Sequence, residues 1–446
     1  MTAATRQDHD ALHDYIRGLN HLLQTKKVPE AERGFLLTGV LIALQDPAFR
    51  EAASRTPEAL LAAIRGAFTA TALAPQLRDD LLQTFAFIPR SPALQDHGFL
   101  AAFIADVDLR VHAFMRAHAC HDIVGELYVE FLRHANNDKG ISVVLTPPHI
   151  ADLFVELAAV DRHSVVHDNC CGTAGLLIAA MKAMTRDVDP AQRGKIKAEQ
   201  LLGVEFQPTL HALAAANLLL HGDRQLNIHR ADTFNYRPTI QPTVGLLNPP
   251  YKNKAMKDDR EELEFVLNNL DALAPGGTCV AIVPITCATA PSGVGALWKA
   301  RLLERHTLEA VLSMPLELFH NSKTTVVTCT MILTAHQPHP TTKQTWFAYC
   351  RHDGLIKTKH RGRVDANNAW PAIQHTWVER FRARTVTPGF SVLKSICPTD
   401  EWCAEAYLDA DYATISPDLL AHAARRHAIA QVMHSPGGAD DDAHPR

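Results

Sequence analysis

Between residues 164 and 334 the chain carries seven short apolar runs: SVVHD (164–168), LLGVE (201–205), LNIHRAD (226–232), VGLLNPP (244–250), TCVAIVP (278–284), LEAVLSMP (308–315) and TTVVTCTMILT (324–334). Each pair is separated by enough chain for a crossover helix or a tight return. Runs without polar alternation belong to strands buried on both faces, and such strands need helices above and below them. The pattern therefore predicts an α/β fold built on a doubly wound, mostly parallel sheet of the Rossmann-like kind. In such a sheet ligand chemistry sits at the carboxyl ends of the strands.

The flanks read differently. Leu12, Tyr15, Ile16, Leu19, Leu22 and Leu23 repeat at helical spacing, as do stripes in 60–68 and 99–111, so residues 1–138 form an all-helical N-terminal domain. The chain turns polar after Asn136, and Thr146-Pro147-Pro148 opens a helix over IADLFVELAAV, because proline is tolerated in a first helical turn. A catalytic unit is expected over 139–336. A C-terminal extension follows over 337–433, with WFAYC as an added strand and PDLLAHAARRHAIAQVM as a final helix. The polar tail 434–446 reads as disordered.

The 446 residues allow about three domains. Against 44 Lys and Arg stand 48 Asp and Glu, a net charge of -4, so the molecule is no polycation and any nucleic-acid contact must come from local patches or a partner. The apolar run GFLLTGVLIAL is too short for a membrane span, which needs about 20 residues. It reads as a buried helix. The first twenty residues lack the basic head and apolar stretch of a secretory signal, and the expected location is cytoplasmic. Nine cysteines never form a CxxC pair and read as reduced, mostly buried thiols. The 25 histidines form no HExxH, and His118-Ala-Cys-His121 has no second ligand pair near it in sequence. Scattered surface histidine, with no metal, is the expectation.

The chemistry lies at the strand ends. Asp168-Asn-Cys170-Cys171-Gly172-Thr173-Ala174-Gly175 follows the first strand and leads into an apolar helix. Its small residues permit a tight turn and close approach of a ligand to helix N–H groups. The spacing matches neither GxGxxG nor a P-loop, so phosphate is not the obvious ligand. Taken alone, a glycine turn of this kind is also what a purely structural strand-to-helix junction needs. Glu205 ends the second strand, where a carboxylate commonly holds two ribose hydroxyls, and Asp232 ends the third. Either acid could singly be a cap. Three acids at three successive strand ends beside a glycine turn form a nucleoside-holding pattern.

Asn248-Pro249-Pro250-Tyr251 closes the fourth strand. Two prolines cannot extend a central strand, so the chain must leave the sheet in a rigid loop. Asn248 and Tyr251 are then held toward the cleft. The Asn248 side-chain oxygen and the Pro249 carbonyl can accept both hydrogens of a planar amine, while Tyr251 offers a ring for stacking. An Asn-Pro turn with a half-buried tyrosine is the bland alternative, common for a dipeptide but not for all four residues at this place.

At this point the sequence resembles the adenine-specific (N6) DNA methyltransferases, and among them the modification subunits of type I restriction-modification systems. DNCCGTAG, GVEFQPTLHALAAANLLLHG, ADTF, NPPY, LEFVLNNLDALAPGG and LLERHTLEAVLSMPLELF stand in that family's order, preceded by the Thr146 segment and a helical domain. The resemblance implies a class I S-adenosylmethionine-dependent methyltransferase. Asp168, Cys171, Gly172, Thr173 and Gly175 would shape the methionine side of the S-adenosyl-L-methionine pocket, and Glu205 would hold the ribose. Asp232, Thr233 and Phe234 would address its adenine, with Thr146 and Asn248 lining the pocket. Asn248, Pro249, Pro250 and Tyr251 would hold the target base, flipped out of double-stranded DNA and stacked on Tyr251, for direct transfer to its N6 amine. Asn169 and Cys170 replace the family's usual Pro-Ala, and Ala174 replaces a frequent glycine; the loop stays small. No Pro-Cys dipeptide is present, so the cytosine-C5 route is closed.

Two basic stretches are candidate DNA contacts: Lys252, Lys254 and Lys257 beside the Asn-Pro-Pro-Tyr loop, and Lys357, Lys359, Arg361 and Arg363 downstream. No further stretch suffices for an independent target-recognition domain. The resemblance therefore implies a separate specificity subunit, with room for a restriction subunit in the same multi-subunit complex. The tetrapeptide alone equally serves enzymes that methylate a glutamine amide in release factors or a base amine in ribosomal RNA. A non-catalytic assembly subunit with the same fold is a third reading.

Overall fold

In the computed structural model of the protein, the residues described are 3–118, 121–132, 144–252, 260–320, 326–358, 362–409 and, apart from 419 and 423, 416–425. The expected disordered tail and most of the expected final helix lie outside them.

The N-terminal part is helical, as its periodicity requires. Starts are marked by side-chain caps: Asp46 accepts from Ala48 N at 2.9 Å, Thr56 from Ala59 N at 3.2 Å and Asp96 from Phe99 N at 3.0 Å. Prolines stand at the first helical positions after Asp46 and Thr56. The apolar run of the sequence becomes the helix Glu30–Ala43, buried almost all round, with Leu36, Leu37, Val40 and Leu41 fully inaccessible. Among the described residues no helix is long and apolar enough to cross a membrane.

The strands are β1 (Val166–Asp168), β2 (Leu201–Glu205), β3 (Ile228–Arg230), β4 (Val244–Leu247), β5 (Thr278–Pro284), β6 (Thr307–Ser313), β7 (Thr328–Thr334), β8 (Thr345–Tyr349), β9 (Ile356–Thr358), β10 (Gly362–Val364) and β11 (Ser391–Lys394). Nine of them form one sheet in the order β11-β8-β6-β7-β5-β4-β1-β2-β3. The order reverses between β1 and β4, which pair in parallel through Val166 and Val244, and this is the switch point where a crevice opens. β7 runs antiparallel between β5 and β6. The fold is thus the expected α/β doubly wound sheet with a helical N-terminal region.

The expected domain boundaries do not coincide with the packing. One apolar cluster runs without a break from Leu36, Ile64 and Phe85 of the helical region to Phe154, Leu177 and Leu219 beside the sheet. The other face of the sheet carries a second cluster around Leu247, Val266, Leu302 and Trp402. The extension also belongs to the sheet: β8 lies parallel to β6, β11 antiparallel to β8, and the helix Trp370–Ala383 packs on Pro148–Leu157. A boundary at 336 cuts this sheet, since the interior residues Trp346 and Phe347 come after it. Lys299, wholly buried, holds a further part of the extension by donating to the carbonyls of Ala288 at 3.1 Å and Asp400 at 2.7 Å.

Candidate active site

The strand ends at the switch point surround a cavity of about 360 Å³, within the size range of small-molecule sites. Its wall includes Thr146, Asp168, Cys171, Gly172, Thr173, Gly175, Glu205, Asp232, Thr233, Phe234, Asn248, Pro249 and Pro250. These residues come from four strand ends and from the segment before the sheet. The topology brings together positions up to about a hundred residues apart in sequence.

The turn after β1 is held tightly. Gly172 adopts φ 56°, and its N–H donates to Glu205 at 3.0 Å. Gly175 begins the following helix directly against Asp122, where a Cβ would meet the carboxylate. Ala174 sits at φ 68°, a left-handed conformation that costs a non-glycine residue about 1 kcal/mol. Asp168 is buried and accepts from Cys170 N at 3.1 Å. Burial, with Glu205 adding like charge, pushes its carboxyl up to about 8. Glu205 is raised as well, first by burial, although Gln207 N (2.7 Å) and Gly172 N both donate to it. Burial thus favours the neutral form of both carboxyls, which a cation placed in the cavity would oppose. The neighbouring Cys170 and Cys171 are held as thiols by burial.

Asp232 caps the short turn Thr233–Asn235 through Phe234 N at 3.0 Å. This is the capping geometry that a strand-end aspartate offers, and it still faces the cavity. The Phe234 ring meets Phe265 edge-on at 4.9 Å and carries the Arg260 guanidinium over its other contact surface at 3.9 Å. Asn268 joins this wall to the glycine turn, because its Oδ1 accepts from Thr233 Oγ1 at 3.1 Å and from Asn169 Nδ2 at 3.0 Å.

At the end of β4, Asn248 is oriented by two acceptors: its Nδ2 donates to the Val144 carbonyl at 2.8 Å and to Thr146 Oγ1 at 3.1 Å. These contacts decide which end of the amide is oxygen. The remaining Oδ1 is buried and has no hydrogen-bond partner. A buried acceptor left over in a cavity wall is costly unless something else is meant to donate to it. Tyr251 follows the proline pair. Its ring meets Phe319 edge-on at 6.1 Å, its hydroxyl is buried without a partner, and it is absent from the cavity wall. Burial raises its hydroxyl well above the usual range.

Several wall residues were not singled out as site candidates. Asp122, Asn169, Phe206, Gln207, Arg260 and Phe265 line the cavity. Asn169, Phe206, Gln207 and Phe265 lie in the segments that carry the resemblance, whereas Asp122 and Arg260 lie outside them; Phe206, next to Glu205, is 72 % exposed.

Of the basic candidates, Lys254, Lys257, Lys359 and Arg361 lie outside the described residues. Lys252 pairs with Glu261 at 2.5 Å, and Lys357 is half exposed, 3.8 Å from Glu317. Arg363 is not a surface residue: its guanidinium is buried against Asp353 at 2.6 Å, and His149 reaches the same carboxylate at 3.3 Å. The downstream run is therefore only partly a surface patch.

The family model for N-6 DNA methylase matches residues 119–393. Among known proteins, the type II restriction enzyme and methyltransferase RM.BcgI of Heyndrickxia coagulans is 28 % identical over 89 % of this chain and 64 % of its own length. The type I restriction enzyme StySPI methylase subunit of Salmonella potsdam is 28 % identical over 45 % of this chain and 42 % of its own. The chain thus spans less than two thirds of either relative. Among solved structures, a chain of a type I restriction-modification assembly superposes with a TM-score of 0.64 at 17 % identity, covering 95 % of this chain and 96 % of that one. A type I methyltransferase subunit from Streptococcus thermophilus gives 0.58 at 17 % identity, over 90 % of this chain and 99 % of that one. The likeness to the solved structures shows the fold, and the family match spans more than half of the sequence from the last helices before the sheet to β11: the chain belongs to the N-6 DNA methylase family.

Proposed function

We propose that this chain transfers the methyl group of S-adenosyl-L-methionine to the N6 amine of an adenine flipped out of double-stranded DNA, as the modification subunit of a restriction-modification system. The observation that carries the reading is the buried, unpartnered Oδ1 of Asn248 in the cavity wall. An exocyclic amine has the two hydrogens that Asn248 Oδ1 and the Pro249 carbonyl can accept, and accepting both frees the nitrogen lone pair for in-line attack.

The cavity suits the cofactor, which supplies an electrophilic methyl on a cationic sulfonium. On giving up its proton, Asp168 joins Glu205 in supplying the negative charge that such a cation needs, and Glu205 retains lone pairs for two hydroxyls beyond the backbone bonds it accepts. Phe234, Phe265 and Arg260 form a partly apolar wall for an adenine ring. Thr146 fixes Asn248 so that little reorganisation accompanies the attack. Tyr251 follows the loop with its ring edge-on to Phe319.

The sequence choice would fall to a separate specificity subunit, a reading supported by the likeness to a type I restriction enzyme methylase subunit. The test is transfer of labelled methyl from S-adenosyl-L-methionine to duplex DNA, with and without the products of neighbouring genes. N6-methyladenine in DNA is the expected product. Transfer to release factor or ribosomal RNA but never to DNA would overturn the reading, as would failure to bind the cofactor.

A further inference from the structure

The histidines that look scattered in sequence meet in space at the junction of the first helix with the rest of the molecule. His9 and His13 stand one turn apart in the helix Ala3–Thr25, on one face of it. His121 stands two residues before the helix Ile123–Leu132, and Glu126 lies in its first turn. One ligand atom each from His9, His121 and Glu126 lies within 4.8 Å of the others. His121 Nε2 is 2.9 Å from Glu126 Oε1, and His13 Nε2 lies 3.8 Å from the same oxygen.

We propose that His9, His121 and Glu126 form a binding site for a divalent transition-metal ion, Zn²⁺ by chemistry, with His13 or water as fourth ligand. The ion would cross-link the first helix to the catalytic unit.

Three features support it. The donor set, two imidazoles and a carboxylate, is one that Zn²⁺ takes in tetrahedral sites. Glu126 is nearly buried, its Oε2 has no hydrogen-bond partner, and the charge partners it has are imidazoles. A buried carboxylate with that surrounding is a place for a cation. The site also has an apolar wall: the Phe114 ring meets His9 edge-on at 4.9 Å and stacks on His118 at 4.2 Å. Ligand atoms in a tetrahedral zinc site are about 3.3 Å apart, so the widest pair must close by about 1.5 Å from the 4.8 Å limit. Rotation of the half-buried His9 ring can supply that.

The role is structural. His121 adjoins Asp122, which binds Gly125 N at 2.8 Å and Asn217 Nδ2 at 2.7 Å and lines the cavity described above. None of the proposed ligands lines that cavity, so the site is independent of the catalytic reading.

The test uses the full-length, untagged chain stripped with a chelator and titrated with Zn²⁺ by calorimetry, and with Co²⁺ by absorption. One tight equivalent, a tetrahedral Co²⁺ spectrum and a raised Tm are expected. His9→Ala and Glu126→Gln should each weaken that equivalent by more than about 100-fold, beyond the loss caused by an outer-shell partner. Retention of the tight equivalent in both variants, or an octahedral Co²⁺ spectrum in the wild type, would overturn the proposal. Circular dichroism checks that each variant is folded, and His9→Ala, at the more accessible position, serves where Glu126→Gln is not.

Discussion

Two side chains divide the work of the site. Asn248 touches the reacting amine in the proposed function and leaves the cofactor's charge alone, so Asn248→Ala should reduce kcat by more than about 100-fold, the scale for removing one preorganised hydrogen-bonding group. Cofactor affinity should change only a few-fold; equilibrium binding beside single-turnover methylation separates the two, and equal losses in a folded variant would contradict the assignment. Asp168 acts on the charge. Its carboxyl, about 3.9 when unfolded, stands at about 8 in the folded chain. A raised pKa of this kind adds stability that is present below about 4 and is lost as pH rises through about 8. A cationic ligand favours the ionised form, so cofactor binding at pH 6 to 7 should release a proton and tighten as pH climbs toward 8. Calorimetry in buffers of different ionisation heat reads the proton directly, and Asp168→Asn should abolish both the release and the pH slope.

The strands were legible wherever both faces are buried. LLGVE and TCVAIVP are the strands β2 and β5 to the residue, because nearly every position in them is buried and their interiors are apolar, with polar residues only at an end. β9, β10 and β11 were not visible: IKT and GRV are half exposed and paired only with each other, and SVLK is an edge strand with one accessible side. The same physics separates site residues. Asp168, Glu205 and Asn248 stand at the ends of readable strands, whereas Asp122, Arg260 and Phe265 reach the cavity from helices and loops whose sequence has no fixed distance to it. Elements also constrain one another through small residues. In β4, just before the Asn248 loop, a Cβ on Gly245 would run into Asn269 Oδ1, and Asn269 Nδ2 donates to the His167 carbonyl at 3.3 Å and to Asn169 Oδ1 at 3.4 Å. Gly245→Ala should therefore destabilise by about 1–3 kcal/mol, the cost of overpacking. Because the clash is with one side chain, adding Asn269→Ala should recover part of the loss; a double-mutant cycle in urea measures the coupling, and strict additivity would show that the strain lies elsewhere.

At the scale of the whole molecule, the helical region, the sheet and the extension share their interior, and one buried ion cluster ties the helix before the sheet to the extension. Asp353 follows β8, Arg363 lies in the β9–β10 hairpin and His149 in the helix that precedes the sheet; all three meet at Asp353. Burial opposes its ionisation, but the hydrogen bonds from His149 and Arg363 outweigh burial and hold it at about 2. With a depressed pKa the contribution is present above the unfolded value of about 3.9 and is lost as pH falls toward about 2. Removing one partner leaves a buried charge poorly compensated, so Arg363→Ala should cost about 3 kcal/mol at pH 7. The larger consequence is cooperative: the lost contact releases the hairpin from the helix that also supports Thr146 and hence Asn248. Asp353→Asn removes the charge while keeping the shape. It should therefore flatten the acid limb of the stability curve between about pH 4 and pH 2, measured by urea unfolding at a series of pH values. A variant that keeps the wild-type slope across that window would place the acid sensitivity of the fold elsewhere than in this cluster.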